Sequence, residues 1–132
     1  SFMNEDSLTI ENLYRQHSTD TNLFISPSEE HHWSISIDST SYFMLNASEI
    51  ADSYFVALDF SSELKLYSES GNLIVPINDK ISLQNVAGCS NIRVRQVYSG
   101  LNGLYLAKIY NPNVTIVNLI FINDNVSMIE NQ

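Results

Sequence analysis

The groups in this 132-residue chain that could do covalent chemistry are few: one thiol, Cys89, and three imidazoles, His17, His31 and His32. A cysteine nucleophile needs a base within reach and a third group to orient that base. Nothing beside Cys89 has the local pattern of a cysteine enzyme, and a single cysteine in a strand-rich chain usually fills a small core position. His31 and His32 are neighbours. In an extended segment adjacent side chains point to opposite sides, so the two cannot share a metal ion, and no third ligand stands at useful spacing. Fifteen carboxylates guarantee that some pair lies close, but that abundance does not single out a glycosidase-like acid and base. With four glycines the chain has no phosphate-cradling loop and no dinucleotide fingerprint. The expectation is a protein that is not an enzyme and needs neither metal nor cofactor.

Charge is the more informative feature. Fifteen acids against six bases give a net charge of −9, which disfavours nucleic acid as a partner because that binding draws on Lys and Arg neutralising phosphates. Arg93 and Arg95 share one face of an expected strand and should pair with acids across the sheet. The acidity is concentrated: residues 1–70 hold twelve acids and two bases, whereas residues 71–132 hold three acids and four bases. Glu29, Glu30, Asp38, Glu49, Asp52, Asp59 and Glu63 fall on expected strand faces and turns of the acidic half, with Trp33 and Tyr54 among them as aromatic anchors. Carboxylates steer a cationic partner and aromatic side chains supply buried contact area. The expected partner is therefore a basic protein, most concretely a nuclease-type bacterial toxin whose active site an acidic immunity protein would occlude. Two other readings use the same chain differently: a β-barrel holding a small apolar ligand, and a β-rich surface or assembly module acting through strand edges.

These residues must be positioned by strands for the most part. Ile10, Leu13, Tyr14 and His17 fall at i, i+3, i+4 and i+7 behind a capping Asp6 or Ser7, which predicts one helix over 6–17 packed on a sheet. From Trp33 the period changes to two: Trp33, Ile35 and Ile37 alternate with Ser34, Ser36 and Asp38. Further runs at 42–45, 54–60, 64–67, 73–77 and 81–86 read as strands, with Glu69-Ser70-Gly71-Asn72 a hairpin turn and Pro76 either placing its strand at an edge or ending it early. Residues 48–52 form either a short helix or a loop. The runs at 92–98, 104–110 and 114–122 are expected to form an antiparallel meander, and the last, apolar on both alternating faces, to be a central strand covered on both sides. The predicted fold class is α+β and predominantly β, an antiparallel β-sandwich or half-barrel of about 8–9 strands with one N-terminal helix.

The chain is expected to be a single globular domain over residues 4–132, with residues 1–3 a cloning remnant and start Met. A lone cysteine makes the fold independent of an oxidising compartment, and no apolar run is long enough to cross a bilayer, so the expected setting is the cytoplasm, away from membranes. Three Asn-x-Ser/Thr triplets, at Asn46, Asn113 and Asn125, are what chance produces in a chain this rich in Asn, Ser and Thr.

Overall fold

Helix formation starts at Asp6, whose carboxylate accepts the Thr9 N–H at 2.8 Å and is held below its ordinary pKa by that bond. Helix α1 (Ser7–His17) follows, ending with Arg15 and His17 in its last turn, where cations suit the negative end of the helix dipole. Ile10 and Tyr14 are its buried residues, as the heptad-like spacing requires. A computed structural model of the chain describes residues 6–27, 32–48, 53–60, 62–81 and 94–124.

Nine strands follow among the described residues: β1 (Trp33–Ser36), β2 (Ser39–Ala47), β3 (Ser53–Leu58), β4 (Glu63–Tyr67), β5 (Leu73–Ile74), β6 (Asn78–Ile81), β7 (Val94–Ser99), β8 (Gly103–Asn111) and β9 (Ile116–Asp124). They form a five-stranded sheet in the order β1-β9-β3-β7-β6 and a four-stranded sheet in the order β2-β8-β4-β5, with every pairing antiparallel. The chain is an α+β protein dominated by this sandwich, with the helix at its N-terminal end. Among the described residues no helix is long and apolar enough to cross a membrane.

Period-two alternation puts one face of each sheet against the other. From the five-stranded sheet come Tyr54, Val56, Leu58, Val94, Tyr98, Val117, Leu119 and Phe121, and from the four-stranded sheet Phe43, Leu45, Leu64, Leu66, Ala107 and Ile109. The helix covers part of the outer face of the four-stranded sheet, where Ile10 and Tyr14 pack with Met44, Tyr67 and Leu106. The Tyr14 hydroxyl donates to the Leu104 carbonyl at 3.2 Å. Burial first, then the charge of Glu69, keeps that hydroxyl above its ordinary pKa.

Three expectations are corrected. The last three strands are not a meander: β7 and β9 both flank β3, while β8 lies in the other sheet between β2 and β4. Sequence alternation tells which residues face inward, but it does not tell which of two sheets a strand joins. β9 is central in its sheet but is not covered on both faces by described residues, because Ile116 is 51% exposed and Ile120 and Ile122 are half-buried. The helix lies on the other sheet. Arg95 does not face an acid across the sheet: its register neighbours are Ala57 and Lys80, and its guanidinium lies over the Phe55 ring at 4.6 Å. Arg93 and the segments 49–52 and 82–93 lie outside the described residues.

The turn signals held where backbone geometry demands them. Leu66 and Tyr67 pair with Ile74 and Leu73 around the expected hairpin, and Pro76 lies just past edge strand β5, where the chain leaves one sheet for the edge of the other. Gly71 has φ +86°, and a Cβ there would come within 2.5 Å of the Ser7 carbonyl oxygen, so the hairpin and the start of the helix fit only around a bare Cα. Gly71→Ala is expected to lower stability by about 2 kcal/mol, from left-handed strain and this clash together, read as a lower urea midpoint with an unchanged slope.

Candidate functional site

Three chain connections meet at one end of the sandwich. They are the corner between β1 and β2, the crossing from β3 to β4 and the loop from β8 to β9. Main-chain and side-chain hydrogen bonds hold them together: Ile37 N–H donates to the Thr115 carbonyl at 2.9 Å, Asp59 N–H to the Asn118 carbonyl at 3.2 Å, and Asn111 Nδ2 to Ser62 Oγ at 3.0 Å. The β1–β2 corner turns sharply through Ser39, which has φ +64°, and the β8–β9 loop is shaped by Asn111 Oδ1 accepting the Asn113 N–H at 2.9 Å.

This end gathers three of the expected acidic residues. Asp38 sits exposed at the β1–β2 corner, Asp59 half-buried just after β3, and Glu63 half-buried at the first position of β4, beside Tyr110 in register. Asp59 is fixed in place. Its two carboxylate oxygens accept from Asn118 N–H at 3.0 Å and Asn118 Nδ2 at 2.7 Å, while Asn118 Oδ1 accepts from Ser34 Oγ at 2.8 Å. A carboxylate with its donors already arranged keeps its orientation, whereas Asp38 presents its charge from a corner open to solvent.

The expected aromatic anchors are placed elsewhere. Tyr54 has no exposed surface and stacks on Phe121 with ring centroids 5.5 Å apart, so it belongs to the core and offers nothing to a partner. The reason is register: Tyr54 shares the inward face of β3 with Val56 and Leu58. Trp33 is half-buried and packs against the same core, opposite Leu119. Glu29, Glu30, Glu49 and Asp52 lie outside the described residues, as do His31 and Cys89. The apolar surface found at the acidic end instead is Phe60, 42% exposed, and Ile116, 51% exposed. The apolar run at 54–60 predicts Phe60 as the end of a strand, whereas β3 ends at Leu58. The signal that could have found it is one large apolar residue inside the polar stretch Asp59-Phe60-Ser61-Ser62.

No family model, curated protein or solved structure matches this chain. The site is therefore read from its own geometry. Among the described residues no group of three or more His, Cys, Asp and Glu side chains is placed to hold a metal ion. What the acidic end offers is a set of carboxylate acceptors flanked by two exposed apolar side chains, an arrangement suited to receiving donors from another molecule's surface. Asn118→Ala removes the Nδ2 donor to Asp59 and the Oδ1 acceptor of Ser34 Oγ, and keeps the backbone N–H donor to Asp59. It is expected to cost about 1 kcal/mol in urea unfolding, small because the network is near solvent.

Proposed function

We propose that the protein is a non-enzymatic acidic binding module that docks a basic protein through this end of the sandwich. The partner we favour is a cationic, nuclease-type bacterial toxin, which the module would neutralise as an immunity protein by occluding the active site. The observation that carries the proposal is that Asp38, Asp59 and Glu63 lie on connections at the same end of the sandwich as exposed Phe60 and Ile116, in a chain whose first 70 residues hold twelve acids and two bases. Carboxylates grouped at one end produce a local negative field that salt screens over roughly 10 Å, so they act chiefly on the encounter rate. The apolar pair would supply desolvated contact once the surfaces meet. Asp59, held by Asn118, would offer a pre-oriented acceptor and lose less side-chain freedom on binding.

The test is a pull-down from lysate of the source organism at low salt and at about 0.5 M salt, with partners identified by mass spectrometry, since exposed charge pairing weakens over that range. A basic, nuclease-like partner held in stoichiometric amount, and lost or weakened at high salt, is the expected result. Asp38→Lys with Glu63→Lys should then slow association by about tenfold or more and flatten its salt dependence. Association unchanged by the double reversal would contradict the proposal.

A further inference from the structure

The connection from β7 to β8 is short: Gly100, Leu101 and Asn102 follow Ser99, and β8 opens at Gly103. Both glycines have positive φ, +76° at Gly100 and +112° at Gly103, and a Cβ built at either meets nothing within 4 Å. Between them Leu101 is buried in the core cluster, and the Asn102 N–H donates to the Tyr105 hydroxyl at 2.9 Å. The turn is thus anchored as far as the Asn102 nitrogen. The Asn102 side chain is exposed, and among the described residues no hydrogen bond holds its carboxamide.

What that carboxamide can do depends on the next residue. Of the fifteen asparagines in the chain, Asn102 alone precedes a glycine. Attack of a main-chain nitrogen on the preceding asparagine carboxamide closes a five-membered imide, and a side chain on the attacking residue crowds that closure. Gly103 has none, and the space about its Cα is open. The restraint on the reaction is the sheet, because Gly103 stands opposite Ala47 in the last pair of the β2–β8 ladder. A terminal pair opens locally at far lower cost than the interior of a strand, so the Gly103 nitrogen is released without unfolding of the sandwich.

We propose that Asn102-Gly103 is a self-modification site, at which the folded chain converts Asn102 into a mixture of aspartate and isoaspartate. The Gly103 nitrogen bonds to Asn102 Cγ, the Cγ–Nδ2 bond breaks, and ammonia leaves with the proton that the Gly103 nitrogen gives up. Water then opens the imide. Cleavage between Cγ and the Gly103 nitrogen leaves aspartate, whereas cleavage between the Asn102 main-chain carbonyl carbon and that nitrogen leaves isoaspartate, with the main chain running through Cβ and Cγ. No other reactant is needed. Either product adds a negative charge to the half of the chain that holds four bases and three acids. Gly103 and Asn111 are the two ends of β8, so the site lies at the end of the sandwich opposite the acidic connections and is independent of the basic-partner reading.

The experiment is incubation of the full chain at mildly acidic and mildly alkaline pH, native and in guanidinium chloride, followed by anion exchange and peptide mass mapping. In the native chain a gain of about 1 Da is expected at residue 102 ahead of every other asparagine, and faster at alkaline pH because the attacking nitrogen must lose its proton. Conversion should be roughly tenfold faster in guanidinium chloride, where the ladder no longer holds Gly103. Hydroxylamine, which cleaves the imide, should cut the native chain after residue 102. Asn102→Gln would need a less readily formed six-membered ring, so it should abolish both the mass gain and the cut while keeping the urea midpoint of the parent chain. Absence of the mass gain at residue 102 in the native chain, or its appearance first at another asparagine, overturns the proposal.

Discussion

The inward faces of the two sheets depend on each other, and the rest of the molecule follows from that dependence. β3 lies between β7 and β9 and β8 between β2 and β4, and both supply fully buried side chains, as does edge strand β2 at Leu45 and Ala47. Neither apolar face is stable in water without the other. A one-residue slip of β3 would turn Tyr54, Val56 and Leu58 outward and bring Phe55 into the interior. Six of the eight connections between consecutive strands pass from one sheet to the other, which follows from the strand order. The chain is therefore forced to gather its crossings at the sandwich ends and along its edges. Those crossings bring Asp38 and Asp59 to the same end of the sandwich, from positions 21 residues apart in sequence.

The acidity of the chain has structural uses before it has any use in recognition. Asp6 caps α1, and Asp20 accepts the Asn22 N–H at 3.0 Å to open the short 3-10 helix Thr21–Leu23. Asp59 bonds both the main chain and the side chain of Asn118 and so links β3 to β9 across their ends. Carboxylates accept backbone N–H groups that helix starts and strand ends leave unsatisfied, which is one physical reason for many acids in a chain with many crossings. Asp38 stands exposed at the β1–β2 corner and Glu63 at the start of β4, and on the proposed reading they are the acids on which recognition would most depend. The basic residues are placed differently: Lys65 and Lys108 share a row on the outer face of one sheet, and Arg95 lies over an aromatic ring on the outer face of the other.

Much of the local structure could be read from the sequence, and most of the topology could not. The helix was legible because a capping Asp precedes an i, i+3, i+4, i+7 apolar stripe. The β4–β5 hairpin was legible because Gly71 sits inside a polar tetrad between two strand-like runs. The sandwich class followed from the number of such runs. The sheet membership of β7, β8 and β9 was hidden, because each shows the same inward apolar face whichever layer it joins. The inward placement of Tyr54 was hidden for a related reason. It opens the run Tyr54-Phe55-Val56-Ala57-Leu58, which is apolar at every position, so alternation could not say whether Tyr54 or Phe55 faced the core. That Asp38, Asp59 and Glu63 lie at one end depends on three connections being pinned together there, and spacing along the chain carries no trace of that.

The most direct measurement is amide hydrogen exchange on the protein alone and in complex with its captured basic partner. Backbone protection gained at residues 37–40, 59–63 and 110–116, with the two lateral sheet edges unchanged, is the result expected if the acidic end is the docking surface. Protection confined to the edges at β5 and β6, or to the outer face of the five-stranded sheet, would contradict it and assign recognition to a different part of the sandwich.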